Sequence, residues 1–229
     1  MRHKRYALTV TFLMIFVLAS GVSFADQERY GRKYEITITN LTRGQVFSPP
    51  VVISHTRNFD LFRLGQEASP ELAALAEDGL TEPLVNSVAK LHSVFETAVG
   101  DFILPGDSLT VEIPIRGAFR LISVAGMLVT SNDAFFAARG IQVPARGKVV
   151  VAATAYDAGS EANSEDCAFI PGPPCNNPNV HDADNPPEGY VFVHAGIHGV
   201  GPQGDGLQVE PARQDWRYPV SQITLRAVY

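Results

Sequence analysis

The run Ala155-Tyr156-Asp157-Ala158-Gly159-Ser160-Glu161 sets two carboxylates, Asp157 and Glu161, where a strand-like stretch gives way to a loop. A second acidic loop, Ser131-Asn132-Asp133, follows an earlier apolar run. Calcium takes about six to eight hard oxygens in a flexible arrangement. Asp133, Asp157 and Glu161 would supply the charge, and Asn132, backbone carbonyls and water the remaining oxygens. Carboxylates gathered without a cation repel one another. The plainer alternative is that all three are solvated loop acids. The expectation is that the two loops meet at one end of a β-sandwich and hold Ca2+.

A second group offers different chemistry. His181-Asp182-Ala183-Asp184, with His194 and His198, combines imidazoles and carboxylates that suit zinc or another transition metal. Such a site could activate water, so a metal-dependent hydrolase is the competing function. The spacing His194-x-x-x-His198 lacks the acid of H-E-x-x-H, and Gly196 disfavours a helix there. The glycines favour a tight loop where backbone approaches backbone or a ligand. His194 and His198 are therefore candidates for ligand contact, as is Trp216 between Asp215 and Arg217, although a lone Trp before a final strand more often packs inside. Nucleophile elbows, phosphate loops and Cys–His patterns do not occur, so the expected function is not enzymatic.

The elements that must carry these residues read as strands. Lys33–Asn40 alternates Tyr34, Ile36 and Ile38 with Glu35, Thr37 and Thr39, a half-buried strand. Val51–His55 is a short apolar strand. Ser69-Pro70-Glu71 opens a helix that Gly79 stops, and Thr81-Glu82-Pro83 opens a second, running through Leu91. Both are expected to cover an end or edge of a sheet. Leu104-Pro105-Gly106-Asp107 is a turn. Ser108–Ile115 alternates, with Pro114 marking an edge or strand end. Phe119–Val129 reads as a long strand with a bulge at Gly126. Lys148–Tyr156 alternates weakly and reads as buried on both faces. Glu161–Gly189 is irregular. Tyr190–His194 and Val220–Val228 complete about eight strands, an antiparallel β-sandwich with helices in one excursion.

Basic residues Arg2, Lys4 and Arg5 precede an apolar run that ends in Ser23-Phe24-Ala25. This reads as a secretory signal peptide over residues 1–25, with one domain over 26–229 and no transmembrane span after cleavage. Loss of three basic residues leaves 15 against 24 acidic ones, a net charge of −9. An acidic exported chain with no basic stripe disfavours nucleic acid as a partner. Cys167 and Cys175, the only two cysteines, are expected to form a disulfide in an oxidising compartment.

Several stretches together resemble the spondin domain, the N-terminal module family of F-spondin. They are Tyr34 to Thr42, Gln45 to Pro50, Ser69-Pro70-Glu71-Leu72, Met127 to Phe135, Asp157 to Glu161 and Asp215-Trp216-Arg217-Tyr218-Pro219. They keep the family's order over nearly all of the exported part, as in stand-alone bacterial members. The resemblance implies a C2-like antiparallel sandwich with calcium bound by loops at one end. It places the metal carboxylates on Asp133, Asp157 and Glu161, the last a Glu where Asp is more usual. The expected function is a secreted or periplasmic, non-catalytic calcium-binding module for adhesion or binding. Its partner would be an extracellular or envelope protein or polysaccharide. A purely structural envelope role is the remaining alternative.

Overall fold

A computed structural model describes residues 31–202 and 206–228. The expected signal peptide over residues 1–25 lies outside them. Among the described residues there are nine strands: β1 (Arg32–Asn40), β2 (Val51–His55), β3 (Val94–Val99), β4 (Ser108–Ile115), β5 (Leu121–Met127), β6 (Ala134–Gln142), β7 (Lys148–Asp157), β8 (Phe192–Val193) and β9 (Ser221–Ala227). The helices are α1 (Pro70–Asp78), α2 (Thr81–Val88) and the single turn α3 (Pro211–Gln214).

All pairings are antiparallel, in the order β3-β2-β5-β6-β7-β9-β1-β4, with β8 added to β7. The outermost strands β3 and β4 lie against each other, so the sheet is nearly closed. Strand β7 belongs to both halves of the sandwich. Its first part, Lys148 to Ala153, pairs with β9, and its second part, Thr154 to Asp157, pairs with β6. The main core lies between the halves, with Ile36, Ile38, Phe47, Ile113, Ile122, Phe136, Ile223 and Leu225 fully buried. Phe47 and Phe136 stack at its centre, ring centroids 4.3 Å apart.

Strand β1 follows its alternation: Tyr34, Ile36 and Ile38 face the core. Its polar face makes cross-strand pairs, with Thr37 and Thr110 hydroxyls 2.8 Å apart. Pro114 lies opposite Lys33 on the terminal strand β4, where its missing N–H costs no ladder bond.

Helix α1 has the expected ends. Ser69 Oγ accepts from the Leu72 N–H at 3.2 Å, and Gly79 closes the helix at φ 69°. Its buried Leu72, Leu75 and Ala76 cover neither end nor edge of the sheet. They pack on the outer face of β2, β5 and β6 with Val51, Ile53, Ala125, Phe135 and Ala137. That half of the sandwich is thus buried on both faces. The apolar runs of β2 and β5 follow from this covering, since neither face meets water.

Two further expectations are corrected, and one strand is added. Strand β7 is not buried on both faces: Lys148, Val150 and Ala152 are exposed, and full burial alternates only from Ala153 onwards. The irregularity between β5 and β6 is a bulge on β6, where Arg139 and Gly140 together oppose Ser123, and not one at Gly126 of β5. Gly126 pairs regularly with Phe136, and a Cβ there would stand 2.8 Å from the Phe136 ring. Strand β6 has no counterpart in the sequence reading.

Candidate metal centre

The β6–β7 pairing places two acids at one end of the sandwich. Ala134 opposes Asp157, so Asp133, one residue before β6, sits beside the last residue of β7. The loop leading to Asp133 is held from below. Ser131 Oγ donates to the Leu128 carbonyl at 2.6 Å and accepts from the Ala134 N–H at 3.0 Å. Buried Gln45 accepts from the Thr130 N–H and donates to the Thr130 carbonyl, both at 3.1 Å.

Asp133 and Asp157 are fully buried, and Glu161 is 3% exposed. Asp133 Oδ2 accepts from the backbone N–H groups of Ser160 and Glu161 at 2.8 and 3.1 Å. Its other oxygen, Oδ1, is buried without a hydrogen-bond partner. Asp157 Oδ1 accepts from the Gly159 N–H at 2.7 Å, and Oδ2 from Asn163 Nδ2 at 2.6 Å. Gly159 has φ 66°, and a Cβ there would lie 2.3 Å from the Tyr190 carbonyl oxygen.

Burial raises the affinity of both aspartates for a proton. It lifts Asp133 well above the carboxylate range, and the neighbouring Asp157 charge adds to the effect. Burial pushes Asp157 up to about 7, against the opposing hydrogen bonds from Asn163 and Gly159. Two such groups side by side cannot both ionise cheaply unless a cation lies between them. With both aspartates ionised, the buried Asp133 Oδ1 has no donor to satisfy it and is an acceptor of the kind a calcium ion takes up.

Glu161 is brought in by its backbone but not by its carboxylate. Its Oε1 accepts from the Asp182 N–H at 2.9 Å, and its Oε2 lies 3.6 Å from His181 Nδ1. The three acids therefore do not converge on one point. Among the described residues, the one group of three metal-ligating atoms within 4.8 Å of one another is Glu77, Asp78 and His181.

The histidine cluster expected from His181, Asp182, His194 and His198 is not assembled among these residues. Asp182 caps its own loop, accepting from the N–H groups of Asp184 and Asn185 at 3.1 Å. His194 is 9% exposed, and both of its ring nitrogens are engaged. Nε2 is 3.0 Å from Asn163 Oδ1, and Nδ1 accepts from the Gly196 N–H at 3.0 Å. The Gly196 bond makes Nε2 the donor, so the ring is neutral. Burial depresses its pKa to about 4. Trp216 packs into the main core at 7% exposure, its ring 4.9 Å from that of His194. His194, His198 and Trp216 nonetheless line one cleft of about 720 Å³ with Asp215, Arg217 and Tyr218. Cys167 and Cys175 are joined in a disulfide, Cα atoms 4.8 Å apart.

Sequence reasoning missed Asn163 and Glu165. Asn163 joins Asp157 to His194 through its two side-chain atoms. The buried Glu165 carboxylate accepts from three successive backbone N–H groups, His198 and Gly199 at 2.6 Å and Val200 at 2.9 Å. That is what the glycine-rich stretch wraps: an internal carboxylate in a nest of amides. The glycines were a usable signal for such a nest, but not for which acid fills it.

Among the described residues, no helix is long and apolar enough to cross a membrane. The chain matches no family model and no curated protein.

Proposed function

We propose that this chain is an exported calcium-binding β-sandwich that serves as a non-catalytic binding or adhesion module. The observation that carries the reading is the buried, unpartnered Oδ1 of Asp133 beside Asp157. Asp133 and Asp157 would hold the ion. Glu161, whose backbone is already tied to Asp133, would join by turning its side chain inward. Calcium would supply the charge that lets both aspartates ionise, and so tie the Ser131–Asp133 loop to the Asp157–Glu161 loop. The resemblance to the spondin domain and the signal-like N-terminal sequence point the same way.

The partner would be an extracellular or envelope protein or polysaccharide. The cleft lined by His194, His198 and Trp216 would present the exposed His198, Arg217 and Tyr218 side chains to it. Thermal unfolding of the secreted protein in excess EDTA and in millimolar calcium tests the metal. A calcium-dependent rise in Tm is expected, and an unchanged Tm would remove the reading. A glycan array and a surface-protein pull-down, each with and without calcium, then test binding.

A further inference from the structure

A second group of ligating atoms lies away from the aspartate pair. Helix α1 ends in Glu77 and Asp78, with no basic residue in its last turn. Carboxylates at the negative end of a helix dipole are unfavourable unless a cation meets them. His181, from the long irregular segment, comes down on both. Its Nε2 is 3.2 Å from Asp78 Oδ2, and its Nδ1 is 3.6 Å from Glu77 Oε2. Glu161 closes the fourth side: its side chain is 3% exposed, and its Oε2 is aimed at His181 Nδ1 from 3.6 Å. Three carboxylates from two segments thus face one imidazole, two of them 18% and 11% exposed.

We propose that Glu77, Asp78 and His181 form a binding site for a transition-metal dication of the zinc type. Glu161 is the fourth group turned toward it. The ligand atoms of the three residues already lie within 4.8 Å of one another. Metal bonds of about 2.0–2.2 Å require ligand atoms closer than this and gathered at one ring nitrogen, so the His181 ring, which has Asp78 at Nε2 and Glu77 at Nδ1, must turn on binding. One imidazole among carboxylates favours zinc over calcium, which takes oxygen ligands. The ion would anchor the loop around His181 to the end of α1, where Asn179 N–H already donates to Asp78 Oδ1 at 3.0 Å. Its three ligands are not those of the calcium reading; Glu161 alone is common to both and can serve only one ion, so zinc uptake by Glu77, Asp78 and His181 is tested independently of calcium.

The test uses the full secreted chain, stripped with chelator and dialysed. Zinc is titrated by calorimetry, and Co2+ is added as a spectroscopic stand-in whose visible bands report coordination. Wild type is expected to take up about one zinc per chain with calcium already present. Asp78→Asn and His181→Gln should each weaken zinc by more than the roughly 10–100-fold that loss of an outer partner costs. Both should keep the calcium-dependent rise in Tm. Asp133→Asn should do the reverse, keeping zinc and losing calcium. No zinc uptake by wild type, or equal uptake by His181→Gln, would overturn the proposal whatever calcium does. Circular dichroism of the metal-free variants guards against simple misfolding. Asp78→Asn retains the Oδ1 that accepts from Asn179, so α1 should survive it.

Discussion

Asp133 holds Glu161 by its backbone and not by its side chain. The Asp133 Oδ2 atom accepts the Glu161 N–H at 3.1 Å, while the Glu161 carboxylate accepts the N–H of Asp182 on the far side. Asp133 is therefore both a loop clamp and half of a buried acidic pair. Asp133→Asn should separate the roles. The amide oxygen can keep the two N–H donors, and the new NH2 can donate toward Asp157. The calcium-free variant should gain about 1–2 kcal/mol, because a buried repulsion becomes a hydrogen bond. It should lose the calcium-dependent rise in Tm. Denaturant unfolding with and without calcium checks both halves.

The pH dependence follows from Asp157. Its pKa stands at about 7 in the fold against a usual 3.8, so between those values the folded state binds more protons than the unfolded. Stability from this group falls as pH rises through that window and levels off above it. His194 works oppositely. Its pKa is pushed down to about 4 from 6.5, so its contribution is complete above 6.5 and is lost as pH falls toward 4. Calcium would meet Asp157 directly and His194 only through Asn163, so Asp157 dominates the difference between calcium-free and calcium-loaded protein. The difference in Tm between them should accordingly be small near about pH 5 and full near about pH 8. A calcium shift independent of pH would argue against ligation by Asp157.

Trp216 is the only tryptophan, and it touches the ring of His194. His194 is bonded to Asn163, and Asn163 to Asp157. A cation taken up by Asp157 competes with the Asn163 donor, and the change passes to the indole's neighbour. Calcium titration should alter tryptophan emission, and Asn163→Ala should remove most of that change while calcium still raises Tm. Unaltered emission across a titration that does raise Tm would show the connection to be static.

Gly159 is the hinge of the Asp157–Glu161 loop. Alanine there must adopt φ 66° and brings a Cβ to 2.3 Å from the Tyr190 carbonyl oxygen. Gly159→Ala should cost at least about 1–3 kcal/mol and weaken calcium, because the loop must move off the β8 approach. A variant as stable as wild type would mean that this loop is looser than its contacts imply.

Reduction of the Cys167–Cys175 disulfide releases a loop with a sequence separation of 8. The expected loss is roughly 2–3 kcal/mol, read from urea unfolding in the presence and absence of reductant.

Much of this was legible in the chain. Alternation in β1 and β4, the Ser69 and Gly79 caps of α1, and the placing of Asp133 and Asp157 at strand ends are local properties. Each depends on a period of two, a side-chain cap or a glycine's φ, which neighbours in sequence decide. Strand β6 escaped because Ala134 to Ala138 is apolar without alternation, and Arg139-Gly140 breaks the run. Its strand character comes from β5 and β7 on either side, and its double burial from α1 above.

The sequence alone thus determined an antiparallel sandwich and the ends of strands where acids gather. Only the tertiary structure decided which acids face each other. Asp133 meets Asp157 because β6 and β7 pair in one register, while Glu161 turns away to His181 and the end of α1, far off in the chain. The physical reason is that backbone periodicity is set by neighbours, whereas a carboxylate's direction is set by whichever donors and charges distant segments bring to it.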